Sequence, residues 1–214
     1  MLHAGSGMTI QQQDLVQVKA APMQAGAPVH ARKLLVLDLD ETLIHASEEP
    51  LHRPADFSFR DYHVYKRPHL DDFLDWAFAH FDVGIWTSSG IRYAHEVSAR
   101  IVDVDRLRFL WASPRCTVRR CHLTGQVHPL KRLAKLKRLG YTLQQMIAVD
   151  DSPEKHGDNY GNLVRVSDYR GDDADRELPM LASYLRALSH EPDIRGIEKR
   201  NWRERLIAQA QGPQ

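Results

Sequence analysis

The sequence predicts an α/β fold of the doubly wound, Rossmann-like kind: a parallel sheet with helices on both faces, a small β insertion and no large cap domain. Three observations carry that expectation. Apolar runs at Leu34-Leu35-Val36-Leu37, Val83-Gly84-Ile85-Trp86 and Met146-Ile147-Ala148-Val149 lack alternation, as strands buried on both faces do. Segments with helical spacing lie between them. Each run also ends in carboxylates or hydroxyls, and the carboxyl edge of an open parallel sheet is where such folds bind ligands.

Taken in order, residues 1–30 are rich in Gln, Ala, Gly and Pro without periodicity, so a flexible N-terminal segment is expected ahead of a single domain over 31–214. The first strand then runs into Asp38-Leu39-Asp40. Acids at i and i+2 share a side of an ideal strand, and where the chain turns beyond the strand end Asp38 can face a substrate while Asp40 reaches it from a loop. An aspartate can attack phosphorus covalently, and a second carboxyl can protonate the leaving oxygen and later activate water. Short Asp-rich segments also end strands without any such role, so the pair alone does not decide the chemistry.

Residues 45–62 read as a polar loop leading into a strand over Tyr62 to Lys66. Pro68 opens a helix with Asp71 and Asp72 in its first turn and Leu70, Phe73, Leu74, Ala77, Phe78 and Phe81 at helical spacing, a core stripe. The strand Asp82 to Trp86 ends in Thr87-Ser88-Ser89-Gly90, before a helix with Ile91, Ala94, Val97 and Ile101 on one face. Thr87 and the N–H groups opening that helix form a candidate phosphate site; Ser88 and Ser89 read as capping residues.

A small β insertion is expected over Leu110 to Val127, with limits of about 108–128, and Arg115, Arg119 and Arg120 within it are candidates for an acidic partner. Lys131 then opens a helix whose Leu130, Leu133, Leu136 and Leu139 face inward, with Lys135 and its basic neighbours outside. The strand Met146 to Val149 ends in Asp150-Asp151, where oxygen ligands for Mg²⁺ are expected. An edge strand over Asn162 to Val166, a helix carrying Leu178, Leu181, Leu185 and Leu188, and a charged helix over Ile197 to Ala210 complete the chain.

A net charge of +1 with 27% charged residues gives no electrostatic mandate for nucleic acid. No stretch approaches the ~20 apolar residues that span a bilayer, so the expectation is a cytoplasmic protein with no membrane partner. The two cysteines, Cys116 and Cys121, lie near His122 and His128, but the spacing is not that of a standard zinc finger, and two reduced thiols are expected.

The order Asp38-x-Asp40-x-Thr42, then Thr87, then Lys131, then Asp150-Asp151 resembles the haloacid dehalogenase superfamily of aspartate-based phosphatases. Leu37 to Leu43, Lys66-Arg67-Pro68, Trp86 to Ser89 and Val149 to Pro153 are similar to its branch of RNA polymerase II C-terminal-domain phosphatases, which includes small bacterial members. A signalling receiver domain uses similar residues in a contradictory order. The resemblance implies that Asp38 is the nucleophile and Asp40 the general acid and base, and that Thr87 and Lys131 hold the phosphoryl oxygens. It places Mg²⁺ between the Asp38 side chain, the Asp40 backbone carbonyl and the Asp150 side chain, and leaves Asp151 an auxiliary acid. It also selects Lys131 over Lys135. The activity implied is a Mg²⁺-dependent phosphomonoesterase acting on phosphoserine or phosphothreonine in a protein or peptide. The alternatives are a small-metabolite phosphate as substrate, or a scaffold that keeps the fold without the activity.

Overall fold

The structure is a computed structural model that describes residues 32–120, 125 and 127–211. The expectations for residues 1–30 and for Cys121 and His122 lie outside the described residues.

Among the described residues, ten strands and four α-helices follow one another as β1 (Leu34–Leu37), β2 (Ile44–Ser47), β3 (Phe57–Phe59), β4 (Tyr62–Lys66), α1 (Leu70–His80), β5 (Asp82–Trp86), α2 (Ile91–Ile101), β6 (Leu110–Trp111), β7 (Thr117–Arg120), β8 (Val127–Leu130), β9 (Met146–Asp150), β10 (Leu163–Arg165), α3 (Glu177–Ser189) and α4 (Trp202–Gln211). The main sheet has the order β10-β9-β1-β5-β6, and every pairing in it is parallel. Strand β1 is central. The chain moves from it to β5 and β6 on one side and then returns to β9 and β10 on the other, so the ends of β1 and β9 flank the switch point where open parallel sheets bind ligands.

The unalternating apolar runs are explained by two cores. Leu35, Leu37, Val83, Ile85, Ile147 and Val149 pack on one face with residues of α1, α2 and α3. Leu34, Val36, Trp86, Met146 and Ala148 pack on the other with Phe109, Trp111, Leu133 and Leu136. Gly84 is required in β5 because a Cβ there would overlap the Phe109 ring. Among the described residues, no helix is long and apolar enough to cross a membrane.

Several local expectations are corrected. The segment 45–62 is not a plain loop: β2 and β3 flank β4 in a three-stranded antiparallel sheet, with Arg60 in the left-handed region between β3 and β4. Leu110-Trp111 belongs to the main sheet beside β5, and the insertion proper is the hairpin β7-β8. The leucines after Lys131 form a 3₁₀ helix over Leu133–Leu139 that buries Leu133 and Leu136, while Leu130 ends β8. Their spacing of three is the period of that tighter helix, in which i and i+3 eclipse. Ile91 is 52% exposed rather than part of the α2 face. The terminal helix starts at Trp202 rather than Ile197, and buried Trp202 stacks on Tyr184.

Candidate active site

Asp38 directly follows β1 and Asp150 ends β9, two adjacent strands of the sheet. Asp38 is 2% exposed and Asp150 fully buried. Two buried carboxylates side by side repel, and two lysines answer them. Lys131 Nζ lies 2.7 Å from Asp38 Oδ1 and 2.6 Å from Asp150 Oδ2; Lys155 Nζ lies 3.1 Å from Asp38 Oδ2 and 3.8 Å from Asp150 Oδ1.

Neighbouring backbone holds both lysines in place. The Lys131 N–H donates to the Lys155 carbonyl at 2.8 Å, and Asn159 Nδ2 donates to the Lys131 carbonyl at 2.7 Å. Arg119 and Arg132 both pair with Asp158, at 2.8 and 2.7 Å, tying the hairpin side to the 3₁₀ segment Pro153–Asn162. Arg119 is thereby engaged within the chain. Lys135, on the following 3₁₀ helix, instead donates to the Arg115 carbonyl at 2.7 Å, whereas Lys131, between β8 and that helix, reaches the carboxylates.

Burial, and then the Asp150 charge, push the Asp38 carboxyl up to about 7. Burial would raise Asp150 as well, but Lys131 and then His156 more than reverse it, and its carboxyl stays well below the usual range. His156 Nε2 lies 2.9 Å from Asp150 Oδ2, and burial lowers this imidazole below its ordinary value. The Ser152 N–H donates to Asp150 Oδ1 at 2.9 Å. Both lysines are raised because the carboxylates outweigh burial.

Asp151 completes the group. Oxygens of Asp38, Asp150 and Asp151 lie within 4.8 Å of one another. Thr42 Oγ1 and Ser152 Oγ donate to Asp151 at 3.3 and 2.9 Å, and burial, then Asp150, raise its pKa. The donor set fits a hard divalent cation: all-carboxylate oxygen, two members raised by burial and mutual repulsion, and Asp38 Oδ1 without a hydrogen bond despite its close lysine. Two members of the expected set, the Asp38 and Asp150 side chains, are in this side-chain cluster.

Asp40 sits in different surroundings. Its side chain accepts from Thr87 Oγ1 at 3.1 Å, from Ser89 Oγ at 2.8 Å and from the Tyr93 hydroxyl. Thr87 Oγ1 also accepts the Ser89 N–H at 2.9 Å, so the Thr87 hydroxyl is engaged by Asp40 and the following turn. Ser89 is not a cap: Gly90 occupies the N-cap of α2 without a side-chain bond. Burial, then Asp40, raises the Tyr93 phenol, which keeps it a proton donor.

Of the residues expected in the site, the structure groups Asp38, Lys131 and Asp150 and places Asp40 with Thr87. Lys155, His156, Ser89 and Tyr93 were not among them. Lys155 and His156 follow a proline in a segment without periodicity, and Tyr93 carried no signal beyond its place in a helix. Cys116, free and half-buried, approaches the Thr87 carbonyl at 4.0 Å.

Residues 33–195 match the family described as NLI interacting factor-like phosphatase. The chain belongs to that family. Among curated relatives, it is 32% identical over 168 residues to the "CTD small phosphatase-like protein 2" of Dictyostelium discoideum, covering 75% of this chain and 28% of that protein. It is 33% identical over 176 residues to the human "CTD small phosphatase-like protein", covering 77% and 59%. The chain thus spans less than two thirds of each of these relatives' length. A structure of the fission yeast RNA polymerase II CTD phosphatase Fcp1, in a variant bound to beryllium fluoride, superposes with a TM-score of 0.50 at 19% identity, covering 84% of this chain and 50% of that one. At that identity the likeness is one of fold, and it agrees with the parallel sheet above.

Proposed function

We propose that this chain is a Mg²⁺-dependent phosphomonoesterase that works through an aspartyl phosphate on Asp38, with phosphoserine or phosphothreonine in protein as substrate and residues 31–214 as one catalytic domain. The observation that carries the reading is Asp38 itself: a buried carboxylate at the sheet's switch point, flanked by two lysines and two further carboxylates. Family membership supports the same chemistry, and relatives named as CTD small phosphatase-like proteins support a protein substrate.

In the first step an Asp38 oxygen bonds to phosphorus as the bond to the ester oxygen breaks, and Asp40 passes a proton to that oxygen. In the second, Asp40 takes a proton from water, whose oxygen bonds to phosphorus while the Asp38–phosphorus bond breaks. Lys131 and Lys155 neutralise charge on the transferred group in both steps, the dominant demand of phosphoryl transfer. Lys155 thereby joins Lys131 and Thr87 as a phosphate contact, and Thr87 also orients Asp40. Mg²⁺ held by the Asp38 and Asp150 side chains and the Asp40 carbonyl, with Asp151 as an auxiliary acid beside them, would offset the negative charge that phosphate brings to three carboxylates.

The test is hydrolysis of an aryl phosphate with Mg²⁺ and with chelator, followed by a panel of phosphoserine peptides, free phosphoserine and sugar and nucleotide phosphates. Chelator-sensitive turnover with peptides as better substrates is expected. No hydrolysis would favour a scaffold, and a metabolite outrunning every peptide by about tenfold would move the substrate to the small-molecule class.

A further inference from the structure

A groove of about 700 Å³ opens on the β10 side of the sheet, beside the 3₁₀ segment that carries Lys155. Its walls are strongly basic. Arg165, Arg195, Lys199, Arg200 and Arg203 line it, opposed within the lining only by Asp168 and Glu198. This contrasts with a second hollow near α1, where Asp56, Asp71, Asp72 and Asp173 balance Arg53, Lys66 and Arg67.

The cations differ in how far they are committed. Arg200 pairs with Glu198 at 2.7 Å, and Arg203 bonds to Glu177. Buried Lys199 donates to the Ile194 and Ile197 carbonyls, the latter at 2.6 Å. Arg195 and Arg165 make no ion pair among the described residues, and Arg165 Nε reaches only the Asp151 carbonyl, at 3.3 Å. The groove lies beside the site: Arg165 is the register partner of Asp150 in the parallel β10-β9 pair, one strand spacing of ~4.8 Å away, and Pro153, in the turn after the acid pair, lines the groove.

We infer that this groove binds an acidic segment of the substrate polypeptide, so that the enzyme selects phosphoresidues flanked by carboxylates or by a second phosphate. The inference deepens the phosphatase reading and rests on it for the word substrate. Its physical basis is charge complementarity. The unpaired guanidiniums offer forked donors that match carboxylate and phosphate oxygens, and a basic groove beside the site would raise the encounter rate of an acidic chain. The open edge of β10 is not the docking element, because Trp202 Nε1 already donates to the Arg165 carbonyl at 2.8 Å.

The test compares wild type with R195E/R200E, a double variant outside the catalytic group. Three readouts are taken on the full chain: aryl phosphate turnover, anisotropy of a labelled unphosphorylated Asp/Glu peptide against a neutral one, and kcat/KM for phosphoserine peptides with acidic or neutral flanks. The acidic peptide should bind wild type better than the neutral one and weaken at least about tenfold in the double variant, with a marked loss in high salt. The kcat/KM advantage of acidic flanks should vanish in the variant while aryl phosphate turnover stays the same. Equal binding of both peptides, or full retention in the double variant, overturns the groove assignment. Stronger binding of an oligonucleotide than of the peptide at equal charge would assign the groove to nucleic acid and overturn it too. Failure of wild type on aryl phosphate would instead defeat the phosphatase reading, whichever way the peptides bind.

Discussion

The two aspartates of Asp38-Leu39-Asp40 are one residue apart in sequence and live in opposite surroundings. Asp38 is buried among full charges, with Lys131 and Lys155 on its oxygens and Asp150 and Asp151 alongside. Asp40 is partly exposed and held by neutral hydroxyls from Thr87, Ser89 and Tyr93. The difference teaches how one short motif can supply two roles. A carboxylate set among cations is placed to receive an anionic group, while one oriented by hydroxyls at the rim is placed to exchange protons with a leaving group and with water. The left-handed backbone at Glu41, just past Asp40, is part of the turn that sends the two side chains to different neighbours.

Asp38→Asn should break the charged half outright, since the amide cannot attack phosphorus. Aryl phosphate turnover is expected to fall by at least about 10³-fold, and retention above a few per cent would remove Asp38 as nucleophile.

Asp150→Ala should come next. It takes the closest partner from buried Lys131 but leaves Asp38 at 2.7 Å, so chemical denaturation should report a loss of roughly 1.5–3 kcal/mol together with loss of the Mg²⁺ response. In wild type that response carries a pH signature. The Asp38 carboxyl rises from its ordinary 3.8 to about 7 on folding. The folded state therefore binds more protons than the unfolded one between those values, and the stability from this group falls as pH rises towards 7. A cation needs the ionised carboxylate, so the rise in Tm on adding Mg²⁺ should be larger at about pH 8 than at about pH 5.5. An equal rise at both would show that the cation does not bind Asp38.

Lys155→Ala should lower kcat/KM about 10–100-fold and weaken inhibition by inorganic phosphate, whereas Lys135→Ala should do neither. Parity between the two would withdraw Lys155 from phosphate binding. The mildest effect belongs to the hydroxyl half. Tyr93→Phe leaves Asp40 two of its three donors, so kcat should drop about tenfold or less with KM little changed.

The charged half was the more legible in sequence, for physical reasons. Apolar runs such as Val36-Leu37 and Val149 that end in acids advertise both the central strands and the carboxylates at their ends, while Lys131 was singled out from its basic neighbours only by the family resemblance. Lys155 and His156 were hidden because their segment is 3₁₀ and kinked, with non-helical backbone at His156 and Asn159, so no periodicity placed them. Ser89 and Tyr93 were hidden because a serine before a helix and a tyrosine within one have ordinary structural uses. Of the β2-β4-β3 sheet, β4 was read at its observed bounds of Tyr62–Lys66, while β2 and β3 were missed because they are short and half polar, with β3 only Phe57–Phe59.

Trapping the intermediate tests the division of labour most directly. An aryl phosphate has a leaving group that needs little protonation, so Asp40→Asn should still be phosphorylated by it but stall at the hydrolysis step. Rapid quench and peptide mapping should then find a hydroxylamine-labile phosphate on Asp38, accumulating in Asp40→Asn, transient in wild type and absent in Asp38→Asn. Turnover by Asp40→Asn at the wild-type rate, or label on any residue other than Asp38, would contradict the account.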